Sequence, residues 1–487
     1  GISLVSRGFI TLSIIHYTGA EVAAIAEHSS RGGVCCGHAA TLGDRGLAGG
    51  AGTGRREEVE QVSELIAGRE YKRALVRLWH LAGQAVAGGG TRLDQWFESG
   101  RNELATQRIE EYFLFGQPSI GLTDLCARPT DVIRCLDQRL AEERKKSVRS
   151  ATFEVDRQRY FLVPCSPHDG FEQRQPVRFP AYMRHHRIIA DPLLPGVRAV
   201  IRDLAGFPAL QQDLQLIAED PRQALVVGLG LFHDGHRPEG DCRPVDDDRQ
   251  TVFFRGTSGD AERLASAREQ IDAAEAAGVE VLLFPELTLS PANQQALADE
   301  LLQRWQRGSA CRIPLLVLGS FHCQDADFDC RRNRAQLLWG RDGSTLAKHD
   351  KFSPATLGGL TESFTPGNAA LFLSTAIGNL SLAVCKDIID DYADLWLTKL
   401  GPDWLLVASL SDSAREHVAF SRKIWNRHRC VSIVANQPLA AQPPVASDGS
   451  TSGPVYGYIR MAELMERDPT RNPWVCEVPL RSPQIQS

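Results

Sequence analysis

The stretch Val279–Pro291, VEVLLFPELTLSP, decides how this chain is read. Val281-Leu282-Leu283-Phe284 is apolar at successive positions, as a strand covered on both faces requires. Pro285 has no N–H and cannot continue the ladder, so the next side chain, Glu286, is delivered at the sheet's edge. A carboxylate at such an apolar rim has its charged form disfavoured, which raises its pKa and suits a general base. Taken alone, Phe-Pro-Glu-Leu is more often a structural turn than a catalytic motif. Upstream, Arg263 to Gly278 is an amphipathic helix closed by glycine, the expected lead into a buried strand.

Working outward, the same apolar texture returns at Ala224–Leu231, Ile313–Leu318, Ala335–Trp339, Leu380–Val384, Trp404–Val407 and Val431–Ala435. Helical text lies between several of these runs, notably Ala414–Arg429. Strands alternating with helices in this way predict an α/β domain with at least one large sheet, beginning near residue 223 and running to 487. The preceding text is different. Arg55–Ala87 and Pro129–Val148 read as helices, and Thr152–Val163 as a short hairpin, giving a mainly helical accessory region over 55–222 without a chemistry-bearing motif. Arg31–Gly54 is Gly- and Ala-rich without apolar period, so 1–54 is expected to be disordered, a linker after a non-native or shifted start at Gly1.

Composition bounds the rest. The 487 residues carry 54 Lys+Arg against 60 Asp+Glu, a formal net charge of -6, which disfavours a surface built to coat nucleic acid. With 43% hydrophobic residues the chain can bury a sizeable core, and its length points to two or three domains. Twelve scattered cysteines suit reduced thiols in a cytoplasmic protein better than a disulfide framework. No apolar run is long enough to span a bilayer, so no membrane partner is expected.

Two further strand ends carry reactive side chains. In GRDGSTLAKHDKFSP, Asp342-Gly343 marks a tight turn and the returning strand carries Lys348 and Lys351, three apart and therefore on opposite faces. In GNLSLAVCKDIIDDY, Cys385 ends an apolar run beside Lys386. A small core residue is the plain reading of such a cysteine, and an activated nucleophilic thiolate the chemical one.

The order Glu286, Lys351, Cys385 and its surroundings resemble the nitrilase (carbon–nitrogen hydrolase) superfamily over roughly residues 224–479. Gly319-Ser320, Asn333-Arg334-Ala335, Asp342-Gly343, Glu362 before Phe364-Thr365-Pro366-Gly367, Asn436 and Gly449-Ser450 resemble further segments of that family. The resemblance implies a four-layer αββα sandwich and catalysis without cofactor or metal. It implies that Glu286 takes the thiol proton and Cys385 attacks an amide or nitrile carbon to form a thioester. Lys351 and the backbone N–H after Cys385 would hold the oxyanion, and Glu362 would orient Lys351. Cys385-Lys386-Asp387 lacks the Cys-Trp-Glu of nitrile-cleaving members, favouring a small-molecule amide or carbamoyl-type substrate. Lys386 stands where an aromatic residue is common, and a second cation there would lower the thiol pKa further. The text RKIWNRHRC before Asn436 departs from the family's Arg-Ala-x-Glu-Asn.

The same resemblance implies a homodimer or higher homo-oligomer, with Ile388–Leu400 near the seam, and a fused or upstream partner domain. Two alternatives stay open: an N-acyltransferase using the same residues, and a catalytically idle binding or assembly module. A convergence of Glu286, Lys351 and Cys385 favours an enzyme, and an occluded Cys385 the idle module. His322-Cys323 with Cys311 and Cys330, and His233 with His236, lack the paired spacing of a zinc site. Gly228 and Gly230 lack the third glycine of a dinucleotide fingerprint, and His185-His186 reads as polar surface.

Overall fold

The computed structural model describes residues 53–87, 129–143, 150–164, 183, 185–221, 224–232, 238–244, 250–325, 330–357, 360–390, 396–397, 399–411, 415–428, 430–437, 457–459, 463–464 and 474–479. The expected disorder of the first residues, His233, His236 and Gly449-Ser450 therefore lie outside the described residues.

In chain order, helices α1 (Thr53–Ala67), α2 (Tyr71–Ala87) and α3 (Pro129–Glu143) precede strands β1 (Ala151–Val155), β2 (Gln158–Pro164), β3 (His186–Asp191) and β4 (Arg198–Arg202). Helix α4 (Pro208–Glu219) leads into β5 (Ala224–Leu229), β6 (Pro238–Pro244) and β7 (Gln250–Thr257). Then come α5 (Asp260–Ala276), β8 (Val281–Leu283), α6 (Pro291–Gln306), β9 (Leu315–Asp325), β10 (Cys330–Trp339) and β11 (Thr345–Asp350). Strands β12 (Thr356–Leu357), β13 (Leu360–Glu362), β14 (Ala369–Thr375) and β15 (Gly378–Val384) end at a 3-10 turn, Cys385–Ile388. The remaining elements are β16 (Trp404–Leu410), α7 (Arg415–His428), β17 (Val431–Gln437), β18 (Gly457–Ile459), β19 (Glu463–Leu464) and β20 (Trp474–Pro479).

Two large mixed sheets dominate. One runs β11-β10-β9-β8-β5-β20 and the other β19-β18-β17-β16-β15-β14-β4. The centre of each is a parallel block, β5-β8-β9 in the first and β15-β16-β17 in the second. These blocks are the apolar runs of the sequence, and the period of two explains why both faces of each are apolar. Leu225, Val227, Leu283 and Val317 of the first sheet share one core with Leu371, Leu382, Leu406 and Ile433 of the second. The alternate residues Val226, Leu282 and Leu316 meet Ala267 and Ile271 of α5 and Leu297 of α6. In the second sheet Phe372, Leu405 and Val407 instead meet Val418 and Ile424 of α7. Each such fully buried Leu or Val is worth about 1.5–3 kcal/mol against an exposed one.

The region before residue 223 differs from its sequence reading. It contains helices α1 to α3, but these pack on a three-stranded sheet, β1-β2-β3, through Leu75, Ile133, Leu162 and Ile188. Strand β4 lies parallel to β14 as the edge strand of the seven-stranded sheet, and Leu210 and Leu214 of α4 enter the core between the sheets. Arg198–Arg202 does not read as a strand in sequence because it carries arginine at both ends. His186 is also a correction. It is buried in β3, with Nδ1 at 2.9 Å from Asp137 Oδ1, because the strand turns alternate residues inward.

Candidate active site

Four strand ends deliver the chemistry. Strand β8 finishes at Phe284-Pro285, and Glu286 then makes a single parallel bridge to Ser320 of β9. Gly319 sits at φ 70°, and a Cβ there would fall 2.0 Å from Pro285 O, so only glycine lets the Glu286 segment lie this close to β9. Lys351 follows directly after β11. The Asp342-Gly343 turn is as expected, with Gly343 at φ 74°. Lys348 is exposed on β11 whereas Lys351 is 1% exposed, so the two lysines do part to opposite sides. Glu362 ends β13, which pairs with β7 in a four-stranded sheet, β12-β13-β7-β6.

These side chains form one buried hydrogen-bond cluster. Lys351 Nζ donates to Glu286 Oε1 at 2.8 Å and to Glu362 Oε2 at 2.6 Å. Asn333 Nδ2 donates to Glu286 Oε1 and Glu362 Oε1, both at 2.9 Å, bridging the two carboxylates. Glu286 Oε2 accepts from the Leu410 N–H at 3.1 Å, and Glu362 Oε2 from the Ala355 N–H at 2.7 Å.

Cys385 stands at the end of β15, with φ 43°. That left-handed backbone is strained for a side-chain-bearing residue, by about 1–3 kcal/mol, and turns the chain sharply into the 3-10 turn. Its Sγ lies 3.7 Å from Leu410 O, the same residue whose N–H meets Glu286. Asp387 holds this elbow to the Lys351 segment. Its Oδ1 accepts from the N–H groups of Phe352 and Ser353, and its Oδ2 from Val384 N–H and His349 Nε2.

Burial dominates the electrostatics. It pushes Glu286 up to about 7, although Lys351 pulls the other way. Burial would also raise Glu362, but the Lys351 charge and the hydrogen bond from His322 bring it down to about 2. The Lys351 ammonium, which burial alone would discharge, is held well above the ordinary lysine value by Glu286, Glu362 and Cys385. Cys385 is pushed up to about 12 by burial and by Glu286, with Lys351 only partly opposing. The expected low-pKa thiolate is thus corrected: the resting group is a thiol. The charges that bear on the thiol are those of Glu286 and Lys351 and not that of Lys386, whose Nζ reaches away to Pro354 O at 3.1 Å.

Asn436 Nδ2 donates to Ser411 O at 3.0 Å and so fixes the chain just after β16. Among the described residues, no group of three or more His, Cys, Asp and Glu side chains is placed to hold a metal ion. His322, His349 and Asp387 were not read as site residues from sequence. The available signal was a polar side chain repeating at inward positions of otherwise apolar strands, as His322 does two residues after Ser320.

Residues 255–436 match the family model described as carbon-nitrogen hydrolase. No curated protein matches the chain. Among solved structures, the chain is similar to a mutant of the amidase from Nesterenkonia sp. AN1 in complex with butyramide, at 18% identity and a TM-score of 0.32. That likeness covers 44% of this chain and 78% of the amidase. It is also similar to the glutamine-dependent NAD+ synthetase from Acinetobacter baumannii in complex with ADP, at 16% identity and a TM-score of 0.30, covering 44% of this chain and 38% of the synthetase. Every side chain of the buried cluster falls within 255–436, and this stretch is a segment of the carbon–nitrogen hydrolase, or nitrilase, superfamily.

Proposed function

We propose that this chain cleaves a carbon–nitrogen bond of a small amide or carbamoyl-type substrate through Glu286, Lys351 and Cys385. The observation that carries the reading is Lys351 clamped between Glu286 and Glu362, with the Cys385 thiol, at the tip of a strained turn, meeting the same Leu410 backbone that holds Glu286. In this reading the Cys385 Sγ–H proton passes to Glu286 as Sγ bonds to the substrate carbonyl carbon. The thiol is a far weaker acid than protonated Glu286, so the proton moves as the bond forms and no thiolate is stored. Lys351 Nζ and the backbone N–H after Cys385 hold the oxyanion. Collapse returns the proton from Glu286 to the leaving nitrogen and leaves a thioester. Water, with Glu286 again taking a proton, releases the acid and restores the thiol. An amine in place of water makes the same site an N-acyltransferase.

The fold reading that goes with it is the four-layer αββα sandwich, supported by the shared core between the two sheets and the helices on their outer faces. A cytoplasmic location belongs to the same reading. So does a homodimer, although Ile388, Leu397 and Leu400 are buried in the chain's own core and leave any seam to their neighbours. Among the described residues no helix is long and apolar enough to cross a membrane. The burial of Cys385, only 5% exposed, is what favours the idle-module reading, because it offers an electrophile little surface. Ammonia or amine release from a library of small amides separates the two. Release that is lost in Cys385→Ala supports the enzyme, and no release from any amide supports the module.

A further inference from the structure

Glu286 and Glu362 would be near-equivalent partners of Lys351 were it not for a third group. Each accepts one hydrogen bond from Lys351 Nζ, one from Asn333 Nδ2 and one from a backbone N–H, that of Leu410 for Glu286 and of Ala355 for Glu362. His322 breaks the tie. Its Nδ1 accepts from the Phe254 N–H at 3.0 Å, so in the neutral ring the proton must sit on Nε2. That Nε2–H points at Glu362 Oε1, 2.9 Å away, and gives this carboxylate a fourth donor.

The ring is locked. It is 1% exposed and packed among Phe253, Phe254 and Phe364, with centroids 5.1–5.6 Å apart. The charged groups that bear on it are Glu362 on β13, Lys351 after β11, and Arg331 on β10, whose guanidinium lies 4.5 Å over the Phe253 ring. Burial lowers the His322 pKa, which keeps the ring neutral and the tautomer single.

Building on the proposed function, we propose that His322 is the positioning residue that keeps Glu362 as the standing counter-charge of Lys351 and so reserves proton exchange with Cys385 for Glu286. Two carboxylates around one ammonium share the first proton taken up on acidification, and it settles on the one with fewer donors. With His322 present that is Glu286. With its donor removed the two tie at three, and a singly protonated pair leaves Glu286 free to act as base about half of the time.

The test is the pH profile of Cys385 alkylation by iodoacetamide, read by peptide mass spectrometry so that Cys385 is counted apart from the other cysteines. In that reaction Sγ bonds to the methylene carbon, iodide leaves with its electron pair, and the thiol proton goes to Glu286. The wild-type rate should fall as a single titration centred near 7. His322→Asn keeps an acceptor for the Phe254 N–H but cannot reach Glu362. It should retain, at pH 5.5, about tenfold more of its own maximal rate than the wild type does. His322→Gln, which places an N–H where Nε2 stood, should restore the wild-type profile. A merely structural role would scale the rate equally at all pH. His322→Asn with the wild-type profile shape overturns the proposal, and so does His322→Gln with a raised acid shoulder, so either variant suffices if the other does not fold. Wild-type Cys385 that is not alkylated at any pH instead overturns the proposed function, and this inference with it.

Discussion

At the end of the six-stranded sheet where β8 and β9 finish, Glu286, Lys351 and Glu362 are all 3% exposed or less and hold one another through short hydrogen bonds. At the end where the same strands begin, a groove of about 470 Å3 opens between Ile217, Val279, Ile313 and Trp339. Charged residues gather there too. Glu275 pairs with Arg304 at 2.6 Å and with Arg312 at 3.3 Å, but the Arg312 side chain is 79% exposed. Glutamate meets a cation at both ends, Lys351 at one and arginine at the other, and water makes the difference. An exposed pair is screened and contributes roughly 0–1 kcal/mol, whereas breaking a buried one leaves an uncompensated charge. Chemistry is therefore expected at the closed end, although it is the open end that carries the groove.

The strongest challenge to this comparison is Cys385→Ala. It removes the proposed nucleophile without touching the charge cluster, so turnover of any amide substrate should vanish while the melting temperature stays near that of the wild type. Lys351→Met comes next. It should lower kcat/KM by about 3 kcal/mol or more in transition-state stabilisation, as expected for losing an oxyanion donor. A smaller loss would mean that the closed end is merely structural. The pH dependence follows with its sign fixed by Glu286. The group must be ionised to take the thiol proton, so activity rises with pH through about 7 and is lost below it. A profile flat from pH 5 to 8 would remove Glu286 from the base role.

At the small end of the scale stand Lys348→Met, on the exposed face of β11, and Arg312→Ala, at the open groove. Each should change stability by less than about 0.5 kcal/mol and leave kcat/KM within twofold. If Lys348→Met were the more damaging lysine change, the pairing of Lys351 with the two glutamates would not be the working geometry.

How much of this was legible beforehand follows from what is local in sequence. Buried strands write themselves as apolar runs, so β5, β8, β9, β15, β16 and β17 were each visible, and so was the strand-end placement of Glu286 and Cys385. The two-residue period separated Lys348 from Lys351. Non-local pairings left no such mark. Strand β4 finds β14 across more than 160 residues, and its flanking arginines mask its buried Ala199. His322 meets Glu362 forty residues away, and His349 meets Asp387 thirty-eight away; neither pairing has a period to betray it. The state of the Cys385 thiol is not legible in sequence, because neighbouring cations are visible there and burial is not. Lys386 reads as an activator, whereas in the fold its amine reaches Pro354 O.

Whether the closed end of the sheet works as the proposed nucleophilic site is read most directly from the mass of Cys385 itself. The protein is incubated with small amides, quenched in acid during turnover, digested, and read for an acyl adduct on the peptide that carries Cys385. A thioester on that residue, matching the acyl part of the amide, is expected in the wild type, and none in Cys385→Ala. An adduct on another cysteine, or amide turnover with Cys385 bare throughout, would contradict it.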